Sequence, residues 1–227
     1  MTSPNEQKIT ITENGPYIVS GNIPISEKII TANGKGYVWT DGKPLPQSAT
    51  YALCRCGHSS TAPFCSGAHA KIGFDGTEMS GNSKYENRAK LYLGRELNML
   101  DDDRCAFARF CHRDSGTAWE LLETSDDPHD KKEAIRAASE CPAGRLTAMG
   151  SDGSLIEDAL KPEIVVIQDP IKGVSSGLYI KGGIKLIGSD GNEYETRNRY
   201  VLCRCGISSL RPFCDATHID EKYRDKN

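Results

Sequence analysis

Residues 51–69 read YALCRCGHSSTAPFCSGAH and residues 200–218 read YVLCRCGISSLRPFCDATH, identical at twelve of nineteen positions without a gap. Such a duplication obliges the chain to build one structural unit twice. Both copies carry the spacing C-x-C-x8-C-x3-H, at Cys54, Cys56, Cys65 and His69, and at Cys203, Cys205, Cys214 and His218. Upstream of each copy lie short β-type alternations, Lys8 to Thr12 and Tyr17 to Val19 before the first, and Ile164 to Ile167, Leu178 to Ile180 and Ile184 to Ile187 before the second. Turn pairs such as Asn14-Gly15, Asn33-Gly34, Asp41-Gly42 and Asp190-Gly191 separate them. Each repeat therefore reads as a small β-rich module with its Cys/His loop at the C-terminal end.

The cysteine count favours metal ligation over disulfides. The opening stretch, Met1 to Lys8, is polar without an apolar leader core, and no run approaches the ~20 apolar residues of a membrane span. The expectation is a cytoplasmic chain without a membrane partner. In a reducing compartment nine cysteines, an odd number, fit a disulfide framework poorly. A net charge of −3 lacks the basic excess that phosphate neutralisation needs, so no nucleic-acid partner is expected. With 37% hydrophobic and 7% aromatic residues the core is thin, and bound metal would supply part of the stability.

Gly57, beside the paired Cys54 and Cys56, permits the sharp turn that aims both at one centre. Cys65 and His69 share a face if a helical turn begins there. Pro63 and Pro212 fix φ just upstream of the third cysteine in each copy. Three thiolates and an imidazole suit a tetrahedral zinc ion or a [2Fe–2S] cluster with one histidine ligand. The spacing leaves both open, although zinc knuckles more usually pair their cysteines as C-x2-C.

Between the copies, roughly residues 83–160, the pattern changes. Ala89 to Leu93 reads as a strand. Asp126 to Glu140 reads as a helix opened by Pro128, with Ala134, Ile135 and Ala138 on its apolar face and Pro142 ending it. Leu146 to Met149 and Leu155-Ile156 read as a hairpin. Three further cysteines lie here, Cys105 and Cys111 with five residues between them and Cys141 directly before Pro142. The expected organisation is thus 1–82, 83–160 and 161–227.

The two Cys/His loops resemble the CDGSH, or NEET, iron–sulfur family, whose signature is C-x-C-x2-(S/T)-x3-P-x-C-D-G-(S/A/T)-H. The first copy supplies Cys54, Cys56, Ser59, Pro63, Cys65, Gly67, Ala68 and His69, and the second Cys203, Cys205, Ser208, Pro212, Cys214, Asp215, Thr217 and His218. Each departs once from the name-giving run, at Ser66 for Asp and at Ala216 for Gly. The resemblance implies one [2Fe–2S] cluster per loop, on three cysteines and one histidine, in a tandem chain whose outer modules pack as a pseudo-dimer within a monomer. The middle segment resembles single-cluster ferredoxin-like domains with C-x5-C followed by C-P-[SA]-G-x-L. That implies a [3Fe–4S] or [4Fe–4S] cluster on Cys105, Cys111 and Cys141. Ala108 stands where a further cysteine would bind a fourth iron, so [3Fe–4S] is preferred, with His112 or a nearby aspartate as the candidates for a fourth ligand.

The expected fold is α+β and β-rich. The expected function is electron transfer with a redox partner protein, the middle cluster relaying between the chain and that partner. The alternatives are a cluster carrier serving apo-protein acceptors and a structural zinc scaffold. No catalytic constellation is visible, so a non-enzyme is expected. Imidazole in place of a thiolate should raise the reduction potential and make cluster release acid-sensitive. Arg55 and Arg204 divide between balancing cluster charge and lying on the surface. The acidic runs Asp101 to Asp103 and Asp126-Asp127 are expected as solvated loop and cap residues, with a docking patch for a basic redox partner as the alternative; His58 and His129 are expected solvated or locally bonded, and Trp39 and Trp119 carry no clear functional message.

Overall fold

The computed structural model describes residues 6–226; the opening five residues of the polar N-terminal stretch lie outside them. The N-terminal region contributes β1 (Lys8–Ile11), β2 (Tyr17–Ser20), β3 (Ile25–Asn33), β4 (Gly36–Asp41), β5 (Thr50–Leu53) and the short α1 (Ala68–Ile72). The middle region holds α2 (Tyr85–Arg88), β6 (Lys90–Leu93), β7 (Leu97–Asp101), β8 (His112–Arg113), β9 (Gly116–Thr117), α3 (Ala118–Glu123), α4 (Pro128–Ser139), β10 (Leu146–Gly150) and β11 (Leu155–Ile156). The C-terminal region adds β12 (Glu163–Asp169), β13 (Val174–Lys181), β14 (Lys185–Ile187), β15 (Arg199–Leu202) and α5 (Thr217–Asp220).

The β-rich α+β class is as expected, but the two outer modules are not self-contained. One sheet runs β14-β1-β2-β5 and another β15-β13-β12-β3-β4. Each repeat lends strands to the other's sheet: β14 pairs parallel with β1, Lys185 opposite Lys8, and β3, carrying β4 on its outer edge, pairs parallel with β12, Ile25 opposite Ile164. The pseudo-dimer is built by this reciprocal exchange. Alternating side chains of both sheets meet in one core, where Ile9, Tyr17, Val19 and Leu53 pack with Ile164, Val166, Leu178 and Leu202.

The middle region forms its own sheet, β11-β10-β7-β6, covered by α3 and α4 around Leu97, Met99, Leu121, Ala134, Ala138 and Leu146. The strand read at 89–93 is the edge strand β6, and the hairpin read over 146–156 is β10–β11, with Met149 opposite Leu155. Helix α4 begins as its sequence dictates: Asp127 accepts from the N–H groups of His129 and Asp130, and Pro128 occupies the first turn. Its last residue, Ser139, leaves Cys141 just beyond the helix end.

Candidate metal centres

The two Cys/His loops share one hydrogen-bond scaffold. Cys54 N–H donates to Pro63 O and Cys203 N–H to Pro212 O, both 2.8 Å. Cys65 N–H reaches Ala52 O and Cys214 N–H reaches Val201 O, at 2.9 and 3.0 Å. Ser59 and Ser208 each donate their hydroxyl to the carbonyl of the phenylalanine before the third cysteine. Both X-Pro bonds are cis. The duplicated sequence has become a duplicated hydrogen-bond scaffold.

Within each loop the four side chains fall into two pairs. Cys54 and Cys56 hold their Sγ atoms 3.7 Å apart, and Cys203 and Cys205 3.4 Å. Cys65 Sγ lies 3.4 Å from His69 Nδ1, and Cys214 Sγ 3.4 Å from His218 Nδ1. One tetrahedral zinc ion would draw all four ligand atoms to about 3.8 Å of one another, from Zn–S bonds near 2.3 Å. Among the described residues, the trio that closes within 4.8 Å is instead Asp127, His129 and Asp130, at the cap of α4, with Asp127 and His129 exposed and Asp130 half-buried. Two close pairs of donors suit a two-iron cluster better than a single ion.

Arg55 and Arg204, between the paired cysteines, are corrected by the structure. Both are 1% exposed. Arg55 donates to the carbonyls of Gly15, Gly76 and Thr12, at 2.7–2.8 Å. Arg204 donates to Ser176 O at 2.6 Å and Ile167 O at 3.2 Å, and pairs with Asp225. They lie on no surface; they staple each ligand loop to the strands beneath and to the chain that follows its histidine. Phe74 and Tyr223 stack on the two guanidinium groups in equivalent places.

The two sites are unequal. His218 is 2% exposed and Cys214 buried, whereas His69 and Cys65 are half-buried. Asp215 accepts four hydrogen bonds, from the N–H and hydroxyl of Ser209 and of Thr217, at 2.6–3.0 Å. Ser66, its counterpart, accepts one, from Ser60 N–H at 3.2 Å. Burial acts upward on Asp215, but those donors hold its carboxyl down to about 2. Burial pushes the His218 imidazole down to about 4, so the ring is neutral and able to ligate. The Cys205 thiol donates to Cys203, and backbone N–H groups also stabilise the Cys203 thiolate, lowering its pKa. Burial raises the thiols of Cys56, to about 11, and Cys214.

The loops also touch each other. Gly57 and Gly206 are left-handed, at φ 76° and 85°, and a Cβ on Gly57 would stand 2.2 Å from Cys205 O, one on Gly206 2.6 Å from Cys56 O. Glycine is required at both positions for conformation and for close approach.

Cys105, Cys111 and Cys141 line one cavity together with Ala106, Ala108, Trp119, Pro142 and Arg145. Phe107 N–H points at Cys105 Sγ, 3.3 Å away. Burial, with Cys141 and Cys105 nearby, pushes the Cys111 thiol up to about 12. The lining contains no histidine or carboxylate beside the three thiols. His112 is exposed on β8, outside that lining, so neither it nor a nearby aspartate is placed there as a fourth ligand.

Sequence reading missed the charge on this cavity. Arg145, inside the Cys-Pro-Ala-Gly-Arg-Leu run, is held by Asp101 at 2.6 and 2.8 Å and interacts with Cys105; the Asp101 hydrogen bond raises its pKa. The Asp101 to Asp103 run is solvated only at Asp103: Asp101 is buried, and Asp102 pairs with Arg88 at 3.0 Å. Trp39 and Trp119 also have a place: Trp39 stacks on Phe110 of the cysteine loop at 4.3 Å, and Trp119 lies under Arg145. An aspartate run and an arginine beside a Cys-Pro ligand were the available signals. His58 lies outside the ligand pairs, bonded to Cys56 O at 2.8 Å.

No helix among the described residues is long and apolar enough to cross a membrane. No curated protein and no solved structure matches the chain. The family described as iron-binding zinc finger CDGSH type matches residues 14–70 and again 176–219, and the divergent 4Fe-4S mono-cluster family matches residues 92–150. With the paired Cys/His loops in the first two stretches and the three-thiol cavity in the third, the chain is an iron–sulfur binding protein that carries two CDGSH-type regions with a divergent mono-cluster domain between them.

Proposed function

We propose that the chain holds three iron–sulfur clusters and acts in electron transfer. Cys54, Cys56, Cys65 and His69 would hold one [2Fe–2S] cluster, and Cys203, Cys205, Cys214 and His218 the other. Cys105, Cys111 and Cys141 would hold the third, a [3Fe–4S] cluster or a [4Fe–4S] cluster with one iron free of protein ligands. The division at 1–82, 83–160 and 161–227 follows these three ligand sets. The observation that carries the reading is the arrangement of each Cys/His loop as two close pairs of donors. The clusters would supply one-electron redox chemistry. The chain's own part is to desolvate the thiolates, hold the His218 imidazole neutral and balance charge beside Cys105 with Arg145.

Anaerobic purification with iron, sulfide and zinc analysis tests this. About seven to eight irons per chain are expected from two two-iron sites and one three- or four-iron site. An EPR signal before reduction identifies [3Fe–4S]. Stoichiometric zinc with little iron would overturn the reading.

The half-buried Cys65 and His69 favour a second reading, a carrier that passes its N-terminal cluster to an apo-protein. Rapid cluster transfer to an apo-ferredoxin, without redox turnover, would select it.

A further inference from the structure

The three ligand sets are not equally placed. The loop from Cys105 to Cys111 lies on the C-terminal sheet, where Ala106, Ala108 and Phe110 share one buried apolar cluster with Cys214, Val165 and Val201. Arg109 clamps that loop through two hydrogen bonds to Asp169, at 2.7 and 3.0 Å. Asp169 is buried at the end of β12, and its charge acts on the His218 ring. Cys105 and Cys214 are near enough for a charge on one to oppose a charge on the other.

A second connection runs through the backbone. Arg199 opens β15, the strand that leads directly into Cys203, and donates to Cys141 O at 2.8 Å. The cavity beside it is lined by Cys214 and by Arg104, Ala143 and Gly144, so it runs from one C-terminal ligand to residues that flank Cys105 and Cys141 in the chain.

The N-terminal loop meets the C-terminal loop instead, through Cys56–Gly57 against Cys205–Gly206. Tyr17, on the N-terminal sheet, donates to Cys203 O at 2.7 Å. Among the described residues, no hydrogen bond or ion pair joins Cys54, Cys56, Cys65 or His69 to residues 105–111 or to Cys141.

We propose that the C-terminal CDGSH-type site is the junction of a linear relay: an electron delivered at the middle site crosses the Ala106–Ala108–Cys214 contact to the C-terminal site, and reaches the N-terminal site across the Cys56–Cys205 contact. This rests on the reading that all three sites hold clusters. Each step moves one electron, so the giving site is oxidised by one unit and the receiving site reduced by one. No bond is made or broken and no proton is needed. The entering electron comes from a one-electron protein reductant at the middle site, and leaves to a one-electron acceptor at the half-buried His69 face.

The test is EPR spin relaxation on the dithionite-reduced full chain after its iron has been counted. His218→Cys and His69→Cys each change one ligand and so assign the two [2Fe–2S] signals. Removing the middle centre with Cys105→Ala and Cys141→Ala is expected to slow relaxation several-fold for the signal that His218→Cys moves, and to leave the other unchanged. With the iron of both outer sites retained, an effect on the His69 signal alone, or on neither, overturns the relay order and leaves the three-cluster reading standing. A wild-type chain without iron overturns both. If the cysteine variant does not fold, power saturation of the wild-type chain decides: two equal spin populations, one hard and one easy to saturate, support the junction, and a single population overturns it.

Discussion

Asp215 and Ser66 occupy equivalent places and do different amounts of holding. Asp215 ties Ser209 and Thr217 to the loop that carries Cys214 and His218, whereas Ser66 has one long bond. Groups that orient ligands from behind typically contribute ten- to a hundredfold to metal affinity. Asp215→Ser should therefore weaken iron retention at the C-terminal site by roughly that factor. Ser66→Asp should slow iron loss at the N-terminal site, since Ser60 and the Ala68 N–H stand where Asp215 finds its donors. Iron release to a ferrous chelator, followed by the decay of visible absorbance, measures both; unchanged rates would remove the explanation. Ala216 gives a second contrast. It is left-handed, at φ 71°, where the first copy has Gly67 at 79°. A non-glycine residue there costs about 1 kcal/mol or more, so Ala216→Gly should stabilise the holo-protein by about that amount in denaturant unfolding. The ligands were legible because thiols and imidazoles announce themselves by type. Arg55, Arg204 and Arg145 were not, because an arginine reads as a surface residue until its burial and its acceptors are known.

Among the elements, α4 and the β10–β11 hairpin were readable because their signals are local: a cap, a proline and a turn. Helix α3 was missed although Thr117 and Glu120 form a reciprocal capping box, because it spans six residues with little periodicity. The exchange of β3 and β14 was not readable. Alternation tells which face of a strand is buried and says nothing about which strand lies beside it. The loops themselves depend on their arginine staples. Arg55→Met would leave the carbonyls of Gly15, Gly76 and Thr12 without their donor. Each buried unsatisfied acceptor costs about 1–3 kcal/mol, so a loss on the order of 3 kcal/mol or more is expected in thermal or denaturant unfolding. Asp127→Ala is the contrast. Removing the α4 cap should cost about 1 kcal/mol and leave the iron content unchanged, because Cys141 is anchored independently by Arg199.

At the scale of the whole molecule, the duplication predicts two copies of a unit, yet neither copy can close its sheet alone. Strand β1 needs β14 on its open side, and β12 needs β3. The shared core draws eight residues from the N-terminal region, Ile9 to Leu53, and ten from the C-terminal region, Ile164 to Phe213. Burying one large aliphatic or aromatic side chain contributes about 1.5–3 kcal/mol, so parting the halves forfeits more than the ordinary stability of a domain, about 5–15 kcal/mol. It would also expose sheet edges that invite aggregation. A fragment of residues 1–82 is therefore expected to show no cooperative unfolding transition by circular dichroism and to retain little iron, despite carrying a complete Cys/His loop. Mixing it with residues 83–227 under anaerobic reconstitution should restore both the transition and the N-terminal cluster. Independent folding of the 1–82 fragment with its full two irons would show that the exchanged strands are dispensable, and would place the stability of each site in its loop alone. The expected result places it in the exchange, and then two unequal sites lose their cluster environment together when the molecule unfolds.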